Sequence, residues 1–171
     1  GLLTANFDSA ELIIEDSEFA QAPRVGGGLH HLLYVGRIAS LQVSGSRFHD
    51  GHTGHLLKSR ASRTTLTYNL LLDGMGGGAS YEVDLPNGGD ALLLGNVIGQ
   101  SAQTQNPVVV AYGAEGNAWR QSRLRLAHNT LISEGLGPAW FLRVWNDRLP
   151  QGAQVLALNN LTVGLGVFAL G

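Results

Sequence analysis

Cysteine is absent from this 171-residue chain, and charge is scarce: Asp, Glu, Lys and Arg together make up 14% of it. The first absence excludes a disulfide framework and thiolate metal sites, while leaving the compartment open. The second goes with a formal net charge of -2, so no global basic field draws the chain to nucleic acid or to an anionic membrane surface. Long apolar runs are missing too, and none approaches the ~18 residues of a membrane span. No segment carries a capped apolar stripe at helical spacing. Leu136 to Trp145 comes nearest, and its Gly137-Pro138 start suits a strand entry equally. A phosphate loop is lacking, because Gly74-Met75-Gly76-Gly77-Gly78 is followed by neither Lys nor a helix.

Hydrophobic residues (44%) and 24 glycines are what the chain does have, a globular and turn-rich composition with room for one substantial core. Its clearest feature is a repeat. A polar residue recurs inside otherwise apolar segments at Ser17, Ser46, Asn69, Asn96, Asn129 and Asn160, with spacings of 29, 23, 27, 33 and 31. Five residues before it stand Leu12, Leu41, Ala91, Leu124 and Val155, with Thr64 the exception. Three before it stand Ile14, Val43, Leu66, Leu93, Leu126 and Ala157. Two after it stand Phe19, Phe48, Leu71, Ile98 and Leu131, with Thr162 breaking the rule. Such offsets follow strand periodicity. Short strands around a reused Asn-type bend predict an all-β, right-handed parallel β-helix of about six turns over residues 1–171, roughly 29 Å long at the ~4.8 Å strand separation. A β-sandwich also suits Gly-rich turns, but it has no reason to reuse one polar position. The uncharged tail Leu161–Gly171 and the entry Gly1-Leu2-Leu3-Thr4 lack caps, which predicts a piece of a longer coil, truncated at one or both ends, or else end-to-end self-association.

Each turn carries a second strand ahead of the polar bend, at His31–Gly36, His55–Arg60, Ser80–Leu85, Pro107–Tyr112 and Phe141–Asn146. Period-two alternation sends Leu57 and Ser59 inward with Lys58 and Arg60 outward, then Tyr81 and Val83 inward with Glu82 and Asp84 outward. Matching registers would set Lys58 beside Glu82 and Arg60 beside Asp84, with Tyr34 on one flank and Arg143 and Trp145 on the other. The plain reading of this column is an ion-pair ladder on a solvated face, where each pair contributes at most ~1 kcal/mol. The functional reading is a strip for an acidic polysaccharide, in which Arg neutralises a uronate carboxylate and aromatic rings stack on sugars. Lys58 could then act as base on a C5 proton, although an adjacent Glu82 would keep it protonated. Glu82 and Asp84 could instead hold Ca²⁺ or form an acid pair for glycoside hydrolysis.

His49, His52 and His55 recur every third residue, but the spacing matches no dependable zinc signature and the segment reads as a turn. No metal site is assigned there. His55, heading the Lys58 strand, is the better candidate for a substrate contact or general acid. His30, His31 and His128 read as structural. Asn160-Leu161-Thr162 matches a glycosylation sequon, and the Asn column accounts for Asn160 more simply.

Several strings resemble those of bacterial right-handed parallel β-helix repeat proteins of the pectate-lyase-like superfamily. They are Gly54–Ala61, Ser80–Gly89, Gly95-Asn96 and Tyr112-Gly113-Ala114-Glu115-Gly116. The resemblance implies an exported protein, secreted, periplasmic or at the cell surface, that acts on or binds polysaccharide. The Asn-Thr-Asp, Asp-Asp and Gly-His-Gly set of polygalacturonases is absent, as is the Trp-Ile-Asp-His string of pectate lyases, so no catalytic set carries over. The expectation is a carbohydrate-active module with Lys58, Arg60, Glu82 and Asp84 as its chemistry and Tyr34, His55, Arg143 and Trp145 as substrate contacts. A lyase-type β-elimination leads, and a non-catalytic structural or binding β-helix is the alternative.

Overall fold

The computed structural model describes residues 1–26 and 28–171. Each turn gives one short strand to each of three parallel sheets, so the chain winds as a parallel β-helix of about six turns, as the repeat predicts. Sheet I has seven strands: Leu2–Leu3, Leu33–Val35, Leu57–Ser59, Val83–Leu85, Val108–Tyr112, Ala139–Val144 and Gly166–Leu170. Sheet II stacks six, from Phe7–Glu15 through Ile38–Ser44, Arg63–Thr67, Asp90–Leu94 and Arg123–Ala127 to Gln154–Leu158. Sheet III stacks the six short strands that follow the polar bend, Glu18–Ala20 to Leu161–Val163. The one helical element among the described residues is a single 3₁₀ turn, Asn146–Arg148.

The three apolar offsets of the sequence are three stacked columns. Leu12, Leu41, Thr64, Ala91, Leu124 and Val155 are successive partners in sheet II, as are Ile14, Val43, Leu66, Leu93, Leu126 and Ala157. Phe19, Phe48, Leu71, Ile98, Leu131 and Thr162 do the same in sheet III, and the Phe19 and Phe48 rings stack at 4.8 Å. Thr64, the polar exception, is accommodated by a buried contact of 2.8 Å between its hydroxyl and that of Ser59.

Between sheets II and III runs the Asn ladder. The Asn69 N–H donates to Asn96 Oδ1 (2.9 Å), the Asn96 N–H to Asn129 Oδ1 (3.0 Å) and the Asn129 N–H to Asn160 Oδ1 (3.0 Å). Each amide nitrogen reaches back to a carbonyl of the preceding turn, Asn96 Nδ2 to Leu66 O at 2.9 Å for example. The buried N–H groups of Asn69, Asn96 and Asn129 and the carbonyls one turn back thus find partners. The residue just before the ladder is left-handed in all six turns: Asp16, Gly45, Tyr68, Gly95, His128 and Asn159, with φ between 45° and 67°. Gly45 and Gly95 adopt it freely and Asp16, His128 and Asn159 are of the types that tolerate it best, so local preference supports the bend in five turns and only Tyr68 is held there against it.

Candidate functional site

The charged residues singled out in the sequence lie on or beside the outer face of sheet I, with one exception. Lys58 pairs in register with Asp84 on one side and Tyr34 on the other. The expected pairing of Lys58 with Glu82 and Arg60 with Asp84 is therefore shifted by two residues. The cause is a bend at Leu32, Leu56 and Glu82, immediately before each strand, that puts two consecutive residues inside. Leu32 and Leu33 are both core, as are Leu56 and Leu57. Glu82 takes the place of Leu56 in the next turn, fully buried, and Tyr81, expected inside, stacks outside on His55 at 4.8 Å.

The orientation of Glu82 is the main correction to the sequence reading. Neither of its carboxylate oxygens has a hydrogen-bond partner. Burial, and then the nearby Asp73 carboxylate, push its pKa well above the ordinary range, so it is a neutral acid. Asp84 points the opposite way, out to Lys58. The two acids thus present no common face for a shared cation or for a hydrolytic pair.

Outside, the charges close into a network. Lys58 Nζ lies 2.9 Å from Asp84 Oδ2 and 2.5 Å from Glu115 Oε1. Arg60 donates from Nη2 to Glu115 Oε2 (2.6 Å), from Nε to the Tyr34 hydroxyl (2.8 Å) and from Nη1 to Asn87 Oδ1 (2.9 Å). Burial acts to lower the Lys58 pKa, but the Asp84 and Glu115 carboxylates outweigh it and hold the ammonium above its ordinary value. Burial raises Asp84 to about 6 against the opposing pull of Lys58. Glu115 ends below its ordinary value because both cations bond it more strongly than burial penalises it.

Glu115 has no sequence signal of its own, since it lies 57 residues from Lys58 on the long loop between Val108–Tyr112 and Arg123–Ala127. What brings it there is the Pro86-Asn87-Gly88-Gly89 turn. Pro86 O accepts from the Glu115 N–H and Asn87 O from the Trp119 N–H, while Asn87 Nδ2 donates to Gly116 O at 2.6 Å. Gly88 and Gly89 have φ of 64° and 93°, and a Cβ on either would meet an atom of the neighbouring turns within 2.7 Å. Glycine is needed here for both conformation and space. Glu115→Gln, which keeps the shape and removes the charge of a side chain that is 44% exposed, is expected to cost about 1 kcal/mol or less in a denaturant titration.

His55 is buried beside this network. Its Nδ1 accepts the Tyr81 N–H at 3.0 Å, which leaves the proton on Nε2, 3.3 Å from Asp84 Oδ2. His31 repeats the device one turn earlier, its Nδ1 accepting the His55 N–H at 2.8 Å. Burial and neighbouring positive charge push His31 down to about 4 and His55 to about 2, so both rings are neutral. The other histidines of that string diverge: His49 bonds Glu18 and Asp50 on the far side of the coil, and His52 forms a bridge in the corner loop.

Arg143 and Trp145 lie further along the same outer face, Arg143 being the register partner of Ala111, which in turn partners Asp84. The Arg143 guanidinium sits 4.4 Å from the centre of the Trp140 ring and 4.9 Å from that of Trp145. Trp140 escaped the sequence reading because a local irregularity in the strand places Trp140, Arg143 and Trp145 outward with Phe141 and Leu142 both in the core. Among the described residues no carboxylate pairs with Arg143. Compared with protein-family models, with curated proteins and with solved structures, the chain matches none.

Proposed function

We propose that this chain is a non-catalytic β-helix module that binds an acidic polysaccharide, as part of an exported protein. The observation that carries the reading is the half-exposed strip Trp140–Arg143–Trp145, a cation with no carboxylate partner among the described residues between two indoles. Arg neutralises a uronate or sulfate, and indole supplies a face for the apolar side of a sugar ring. The resemblance of several strings to pectate-lyase-like β-helix proteins agrees with that ligand class. Against β-elimination stands the state of Lys58: a base must give up its proton, and the two carboxylates beside this ammonium hold it on. Arg60, the intended carboxylate neutraliser, already bonds Glu115.

Titration calorimetry with alginate, pectate and a glycosaminoglycan, run beside an ultraviolet assay for unsaturated sugar, tests the reading. At least one polymer is expected to bind without forming product, and Arg143→Ala to weaken that binding about tenfold, the effect of ~1.4 kcal/mol. Unsaturated product that disappears in Lys58→Ala would sink it and restore the elimination mechanism.

A further inference from the structure

A second charged surface lies where sheet I turns into sheet II. Arg63 and Arg123 are the register partners of Asp90 on either side, and Arg125 reaches across to Asp90 with Nη2 at 2.9 Å. Arg120 sits on the loop laid over this corner by the Pro86–Gly89 turn, and Arg37 holds its guanidinium 3.9 Å over the Trp119 ring of the same loop. Five of the chain's 11 basic residues therefore lie at this corner, four of them beside Asp90, although the chain as a whole is slightly acidic. Arg63, Arg120 and Arg123 are exposed, and none of the three has an ion-pair partner among the described residues.

The surface is concave. A depression of about 320 Å³ beside Asp90, Arg120 and Arg123 adjoins one of about 440 Å³ beside Arg37, Trp119 and Arg120. Arg120 and Gln121 line both, so the two depressions adjoin as a trough across the corner, and Arg63 stands beside it in register with Asp90. Along the coil axis the backbone positions of Arg63 and Arg123 flank that of Asp90, two strands or ~9.6 Å apart. Gathering unpaired like charges costs free energy through mutual repulsion unless an anion joins them. A cluster of cations without ion-pair partners among the described residues, with an indole beside it, matches a polymer that carries several anionic groups.

We infer that the trough of Arg37, Arg120 and Arg123, with Arg63 flanking it on the neighbouring strand, is a second binding surface for an acidic polysaccharide, gripping its carboxylates or sulfates. The ligand class rests on the reading given under Proposed function; the location does not, since no residue of the trough belongs to the Trp140–Arg143–Trp145 strip.

The test compares wild type, Arg63→Ala/Arg123→Ala, Arg120→Ala and Arg143→Ala for binding of a heparin-derived oligosaccharide and of an oligouronate of equal length, across a salt series. A single-stranded oligonucleotide of matched charge serves as the competing class. The double variant is expected to lose affinity for one or both glycans by roughly tenfold to a hundredfold and to show a shallower salt dependence, with its melting temperature unchanged. Arg120→Ala is expected to lose less, in the same direction. Wild-type affinity in the double variant would overturn the inference, and if Arg143→Ala alone then abolished binding, the strip would stand without the trough. Loss in the double variant with none in Arg143→Ala would keep the trough and remove the strip. No binding of either glycan to wild type would overturn both, and tighter binding of the oligonucleotide would replace the ligand class.

Discussion

Asn96→Ala is expected to lower the stability of the chain by roughly 3 kcal/mol, because several buried partners lose their bonds together. The Asn69 N–H loses its acceptor Asn96 Oδ1, and Leu66 O loses the Asn96 amide donor. Asn69 Nδ2 and Asn129 Oδ1 each lose one side-chain contact as well. At 1% exposed, Asn96 leaves no route for water to replace them without opening the bend. Ser17→Ala supplies the control in the same column, since the Ser17 hydroxyl bonds only Glu15 O of its own turn, at 2.7 Å in an exposed position. Its effect is expected to stay within about 0.5 kcal/mol. Chemical denaturation of both variants measures the contrast. Similar costs at the two positions would show that the ladder contributes through side-chain volume and not through satisfaction of buried backbone.

Glu82→Leu is expected to act in the opposite sense, raising stability at neutral pH by on the order of 2 kcal/mol. The position follows Leu32 and Leu56 in the same inward column, so a leucine there extends existing packing, whereas the glutamic acid buries two oxygens without partners. The pH dependence follows from the direction of the shift. With a folded pKa above the unfolded one, the folded state keeps its proton while the unfolded chain releases it, so Glu82 makes stability fall as pH rises from about 4 towards the folded pKa. Asp73 and Asp84 are raised too and act in the same direction; Asp84 cancels in the comparison, whereas the repulsion between Asp73 and Glu82 is lost with the substitution and adds to the difference. The gain in melting temperature from Glu82→Leu is therefore expected to be smallest near pH 4 and to grow as pH rises towards the folded pKa. A loss would mean that the carboxyl has a bonding role inside the coil, and a gain independent of pH that its pKa is not raised there.

Much of the architecture could be read directly because a solenoid repeats its environment at every turn. Each column of sheets II and III presents the same demand to six residues, so the leucines, phenylalanines and asparagines recur at constant offsets whatever the loop lengths between them. The outer face of sheet I was only half readable. Lys58, Asp84, Tyr34 and Arg60 do come together there, but alternation was carried one residue too far back. The bend at Leu32, Leu56 and Glu82 ends the strand, and a polar residue at an inward bend position looks in a sequence like one more outward charge.

Glu115, Trp140 and the arginine corner lay beyond such reasoning altogether. Glu115 and Arg120 ride on a loop unique to one turn, docked by glycine and asparagine contacts that leave no periodic trace. Arg37, Arg63 and Arg123 stand in three different turns with unlike neighbours. The sequence by itself therefore determined the coil, its number of turns, the columns of its core and the Asn ladder, because those features repeat. Which charges are neutralised, which acid is buried and which cations stand free were decided only by the tertiary structure, because each depends on a single loop or bend that occurs once.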